Sequence, residues 1–314
     1  MLGRALVMSV AAIDCGTNSI RLLIAEPDGS GGLNDLERRV EIVRLGQGVD
    51  ATGEFHPDAL RRTFAVVDDY AELIKKAEVP VEKVHFVATS AARDAKNRDS
   101  FFLGIKERLG VQADVISGET EARLSFMGAL SRVTPDGEPV LVMDIGGGST
   151  ELITGSAAGE LHSAISLDIG SVRVTERFLK QNPVADDDLE RATTYVDELL
   201  SGSGVDFDSI GTWIGVAGTA TTLAGVYLEL EQYDRERVHG ARIPVPAIAE
   251  LLNRLAGLTV EGIRALPSMH PGRADVITGG ALVEARVAKR LHAGELIVSE
   301  SDILDGIALQ LIDR

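Results

Sequence analysis

Cysteine is almost missing from this 314-residue chain, with Cys15 as its single representative. One cysteine excludes an internal disulfide and fits a reducing, cytoplasmic compartment. Long hydrophobic runs are missing too. The mildly apolar stretch from Met1 to Val10 contains Arg4, and Asp14 cuts the run far short of a signal or spanning segment. No other stretch approaches the roughly 20 apolar residues that a membrane helix needs. Met1 and Met8 are alternative starts, and no expectation below depends on the choice. Positive charge is scarce: 31 basic residues against 48 acidic ones give a net charge of −17. Nucleic acid and anionic membranes are therefore not expected as partners, although a small local anion site is compatible with that average. Two common phosphate motifs are absent, the G-x-x-x-x-G-K-[ST] loop and the G-x-G-x-x-G turn. The six histidines are scattered without metal-ligand spacing.

What is present is the composition of an ordinary globular protein, 45% apolar and 25% charged, at a length that suggests two domains. Val10 to Ala25 reads as strand, tight polar turn, strand. A further strand is predicted around Val40 to Leu45, a helix over Pro57 to Glu78, a strand over Val84 to Thr89 and a helix ending at Leu109. Val111 to Ile116 reads as a strand, and Ser117 opens a helix running to about Leu130. Thr134 to Pro139 has the Pro and Gly punctuation of a linker. Beyond it, helices are predicted over Val172 to Leu179, Asp186 to Leu200, from Pro244 onward, and over Asp275 to Leu291. Trp213 to Ala224 reads as a strand entering a helix, Leu296 to Ser299 as a strand, and Asp302 to Ile312 as a terminal helix.

One theme occurs twice. Asp14-Cys-Gly-Thr-Asn-Ser-Ile-Arg21 and Asp144-Ile-Gly-Gly-Gly-Ser-Thr-Glu151 each end an apolar strand on Asp, place Gly two residues on and Ser three after that. Each then starts a second strand on a charged residue. A repeat at a spacing of 130 residues implies a duplicated α/β domain. A glycine-bearing turn after a strand can aim several backbone N–H groups into one concavity, a nest that binds phosphate oxygens without a cationic surface. Asp14 and Asp144 would repel phosphate on their own, so they read as ligands for Mg²⁺ or water. Cys15 to Arg21 also has the C-x5-R spacing of cysteine-dependent phosphatases. The preceding Asp14 should raise the thiol pKa, however, and a strand rather than a helix follows, so Cys15 reads as a small turn residue.

At these residues the chain resembles the exopolyphosphatase/guanosine pentaphosphatase family, a branch of the actin, sugar-kinase and heat-shock-chaperone ATPase superfamily. The resemblance runs through Ile13 to Leu22, Ala88 to Asn97, Ile116 to Leu124, Asp144 to Leu152, Ser166 to Arg173 and Arg273 to Asp275. It implies an α/β protein of two ribonuclease-H-like (actin-like ATPase) domains with a cleft between them. The expected domains are 1–132, completed by 300–314, and 133–299. The implied reaction is Mg²⁺-dependent removal of a terminal phosphate from linear polyphosphate, with Mn²⁺ as an alternative metal and pppGpp as the alternative substrate. Homodimerisation is expected from the family, and the lack of the larger members' extra carboxy-terminal domains favours short chains or a nucleotide.

By the resemblance, Glu121 is the general base, in an S-G-x-E-E-A-x-L motif whose first acid is Thr120 here. Asp144 and Glu151 hold the metal. Phosphate oxygens are assigned to the two turns, Asp14, Gly16, Thr17, Asn18, Ser19 and Arg21 in the first and Gly146, Gly147, Gly148 and Ser149 in the second, with Arg93, Ser171 and Arg173 beside them. Three rivals stand next to this reading: the pppGpp hydrolase, an ATP-using kinase with an adenosine pocket near Gly215 to Thr222, and a non-catalytic phosphate or alarmone sensor. Gly218-Thr219 reads equally as helix-packing small residues or as the trace of a nucleotide site.

Overall fold

The computed structural model describes residues 8–17, 19–29, 32–47, 49–89, 92–93 and 95–312, without the side chains of 50 and 51. These residues divide into two compact units, one ending at 131 and taking in 303–312, the other spanning 132–302. The first unit is built on a sheet of β1 (Val10–Cys15), β2 (Ser19–Pro27), β3 (Leu33–Ile42), β4 (Val84–Ala88) and β5 (Asp114–Val115), in the order β3-β2-β1-β4-β5. β1, β2 and β3 are antiparallel neighbours, while β4 and β5 run parallel to β1. The second unit has β6 (Val140–Ile145), β7 (Thr150–Gly155), β8 (Leu161–Leu167), β9 (Thr212–Val216), β10 (Arg242–Pro244) and β11 (Glu295–Val298). Their order is β10-β11-β9-β6-β7-β8. Leaving aside the edge strand β10, the second sheet repeats the first: a three-stranded antiparallel meander followed by two strands parallel to its first member. The octapeptide repeat therefore marks a duplication of the whole ribonuclease-H-like plan.

Helices cover both faces of the first sheet, which is why β1 is buried at every position. Ala11, Ile13 and Cys15 point into a core shared with helices Pro57–Lys76 and Arg98–Leu109. Val10 and Ala12 point the other way, into a cluster with Leu124, Ile303, Leu304, Ile307 and Leu311. The carboxy-terminal helix Ile303–Ile312 thus belongs to the first unit and packs on the back of β1. Asp305 on that helix is fully buried, and Arg38 on β3 satisfies it with bonds of 3.0 and 2.9 Å to its two oxygens.

Several expectations shift. The strand placed at Val40 to Leu45 is Leu33–Ile42, an edge strand whose Asp35, Glu37, Arg38, Arg39 and Glu41 hid its apolar pattern. Its register slips between Ile24 and Ala25, so that Leu36 has no partner across the ladder. The Val111 to Ile116 strand shrinks to Asp114–Val115, and β8 appears where no strand was expected. Thr134 to Pro139 is not a free linker. The Asp136 and Gly137 amides donate to Thr212 Oγ1 at 2.9 and 2.8 Å, and the division of the units falls before it, at 131/132. Among the described residues, no helix is long and apolar enough to cross a membrane.

Candidate active site

In each unit the parallel strands end on the same side, where α/β sheets present their ligands. In the first unit the end of β1 carries Asp14 and its turn, the end of β4 leads to Arg93, and the end of β5 leads to Glu121. The turn closes with Gly16 N–H donating to Ser19 O at 2.9 Å. The second turn closes identically, Gly146 N–H to Ser149 O at 2.9 Å. Asn18 lies outside the described residues.

Beyond that shared bond, the turns differ in what their acids meet. Asp14 is opposite Arg21 in the β1–β2 register, and Arg21 donates to Asp14 Oδ2 through Nη2 at 2.6 Å and Nε at 3.0 Å. Asp144 is opposite Glu151 instead, so the same two positions hold an ion pair in one unit and two carboxylates in the other. Cys15 is buried, and burial together with Asp14 pushes its thiol pKa up, away from any nucleophilic thiolate. The C-x5-R spacing has no phosphatase meaning here.

The second turn is anchored to the start of helix Ser171–Phe178. Its carbonyls are tied back: Gly146 O accepts from Ser171 N–H at 2.9 Å, Gly147 O from Val172 N–H at 2.9 Å, and Gly148 O from Arg173 Nε at 2.8 Å. Gly170 makes this possible, because a Cβ there would stand 2.3 Å from Gly147 C and O. With the carbonyls held, the amides of Gly147, Gly148 and Ser149 donate to no protein acceptor among the described residues. Ser171 and Arg173, assigned to phosphate by resemblance, are seen shaping the turn: Ser171 Oγ donates to Gly146 O at 3.1 Å, and Arg173 pairs with Asp168 at 3.2 Å. The Ser149 hydroxyl likewise donates to Glu151 Oε1 at 2.7 Å.

Glu121 lies in the first turn of helix Gly118–Leu130, capped by Ser117, whose Oγ accepts from Thr120 N–H at 3.2 Å. Thr120, where the family motif has its first acid, completes that cap through a 3.1 Å contact between its hydroxyl and Ser117 Oγ. Arg93 Nη1 reaches Glu121 Oε2 at 3.2 Å and Ile116 O at 2.7 Å. Both side chains stay about one-third exposed, open to a ligand.

Among the described residues, no three His, Cys, Asp or Glu side chains converge into a metal cage. Mg²⁺ does not need one, since it keeps several waters and binds through one or two carboxylates plus substrate phosphate. Asp144 and Glu151, carboxylates opposite each other across the β6–β7 ladder, fit that ion. At Gly215 to Thr222, the space over Gly218 is filled by Arg273: its Nη1 donates to Gly218 O at 3.0 Å and Thr222 Oγ1 at 2.8 Å, and a Cβ on Gly218 would meet its Cζ at 2.7 Å. Sequence reasoning overlooked Ser166, which faces Glu151 from β8. Its signal was the serine that starts the Ser166 to Arg173 motif.

A duplicated α/β sheet whose first strand in each unit runs into an acid-and-glycine turn is an architecture suited to holding phosphate groups. The chain belongs to the Ppx/GppA phosphatase family, which matches residues 23–314. Exopolyphosphatase 2 of Mycobacterium tuberculosis is 47% identical over 96% of this chain and 98% of its own. A bifunctional 3-dehydroquinate synthase/phosphatase of Fusobacterium nucleatum is 34% identical over 97% of this chain and 46% of its own. The crystal structure of the Aquifex aeolicus Ppx/GppA phosphatase, type II variant, superposes with a TM-score of 0.87 at 32% identity, over 97% of this chain and 99% of that one.

Proposed function

We propose that this phosphatase is an exopolyphosphatase, cleaving the terminal phosphate of linear inorganic polyphosphate with Mg²⁺, or Mn²⁺ in its place. The observation that carries the reading is the turn at Gly147 to Ser149, whose three amides have no protein acceptor among the described residues, next to the Asp144–Glu151 carboxylate pair. Support for the polymer as substrate comes from the relative at 47% identity that is named an exopolyphosphatase.

Glu121 accepts a proton from the attacking water, whose oxygen forms a bond to the terminal phosphorus. The bond from that phosphorus to the bridging oxygen breaks, and the remaining chain leaves with the electron pair. Arg93 keeps the Glu121 carboxylate oriented through Nη1 and offers its other N–H groups to phosphate oxygens. The amides of Gly147, Gly148 and Ser149 take non-bridging oxygens. Asp144 and Glu151 hold Mg²⁺, whose chemistry there is neutralisation of charge on the transferred and leaving phosphates. The first turn, with Asp14, Gly16, Thr17, Asn18, Ser19 and Arg21, serves the phosphate chain in the same reading.

The test is phosphate release from short polyphosphate, long polyphosphate, pppGpp and ATP with Mg²⁺, by the wild type and Glu121→Gln. Polyphosphate should be cleaved, and Glu121→Gln should slow release about a hundredfold while still binding the polymer. Release from pppGpp alone would transfer the reading to the nucleotide. Binding without release from any substrate would leave a sensor.

A further inference from the structure

Glu151 is held by a hydroxyl on each side. Ser149 Oγ donates to Glu151 Oε1 at 2.7 Å, and Ser166 Oγ donates to the same oxygen at 2.9 Å. Ser166 does not reach it by a chance rotamer, because Glu151 and Ser166 are direct partners in the β7–β8 register. On its other flank Glu151 is the direct partner of Asp144. Opposite residues of an antiparallel ladder share a face, so Asp144, Glu151 and Ser166 form one row across three strands. Further along the same strand pair, Thr154 and Ser163 also face each other, hydroxyl to hydroxyl at 2.8 Å. At Ser166 the ladder meets a carboxylate instead.

Two donors on Oε1 fix the rotation of the carboxylate about its last torsion. Oε2 accepts no hydrogen bond among the described residues. We infer that Ser166 is a positioning residue of the metal site: it fixes Glu151 through Oε1 so that Oε2 is the oxygen presented to the cation. The inference rests on the proposed role of Glu151 in holding Mg²⁺. Hydroxyl donors behind a ligating carboxylate lower the cost of ordering it, and losing such a partner weakens metal affinity.

The test is titration of Mn²⁺ alone into the protein, read from the electron paramagnetic resonance signal of the free ion. Ser166→Ala should raise the dissociation constant about tenfold, and Ser166→Thr, which keeps a hydroxyl, should restore most of the affinity. The Mg²⁺ concentration for half-maximal phosphate release should rise by a similar factor in Ser166→Ala. Ser166 is exposed on the strand, so its truncation leaves the core of the sheet in place, which circular dichroism verifies. Wild-type Mn²⁺ affinity in Ser166→Ala, beside its loss in Glu151→Gln, overturns the positioning role and spares the metal reading. Equal affinity in wild type and Glu151→Gln, or no binding by the wild type, overturns the metal reading and the inference with it.

Discussion

Gly306→Ala is expected to destabilise the first unit by on the order of 4 kcal/mol and to abolish most phosphate release. A Cβ at position 306 would stand 2.0 Å from Leu124 O, 2.8 Å from its carbonyl carbon and 3.1 Å from its Cα. These are backbone atoms, so no rotamer change relieves the clash, and helix Ile303–Ile312 must back away from helix Gly118–Leu130. That contact buries Leu124 with Ile303, Leu304, Ile307 and Leu311 behind β1 and β2, and the buried Asp305–Arg38 pair moves with it. Leu124 is three residues from Glu121 on the same helix, so the same displacement pulls Glu121 away from Arg93. Gly118→Ala is the contrast. Nothing lies within 4 Å of its Cβ, and stability should be unchanged or rise by up to about 1 kcal/mol. Urea unfolding of both variants decides, and a wild-type midpoint for Gly306→Ala would refute the close docking of these helices.

The sequence made the turns and their strands legible because both periodicity and chemistry converge there. Val10 to Ile13 and Val140 to Met143 are uninterrupted apolar runs followed at once by Asp, and glycines mark the exit from each strand. Strands β3 and β8 were harder to read, since both lie at a sheet edge and, apart from Leu33, neither has a buried position to mark its inner face. β3 in particular carries charges on both faces and has one residue more than its partner. Roles that depend on register stayed hidden for the same reason. Nothing in the local pattern around Ser166 says that it faces Glu151 until the β7–β8 pairing is known. The duplicated turns also look more alike as strings than they are as chemistry: Arg21 and Glu151 occupy the same position, yet one neutralises its Asp and the other joins it.

Glu284→Leu is expected to stabilise the second unit, and by a larger margin as pH rises. Glu284 sits in helix Ile277–Ala288 and is wholly buried, on a helix that is buried at nearly every position. Neither of its carboxyl oxygens has a hydrogen-bond partner among the described residues. Burial pushes its pKa from the ordinary 4.5 up to about 8, so the folded protein keeps this acid protonated near neutrality. The unfolded chain loses the same proton near 4.5. Between those values the folded state therefore holds one more proton than the unfolded state, and stability falls as pH rises until it levels off above 8. Leucine removes the unpartnered polar group at every pH and removes this slope as well. The gain of Glu284→Leu over wild type should accordingly be larger at pH 9 than at pH 4 by on the order of 4 kcal/mol. Chemical denaturation of both proteins across that range measures it. A difference that does not change with pH would mean that the Glu284 carboxyl is ionised in the folded protein as readily as in the unfolded one, and that water or a cation reaches the core beside it.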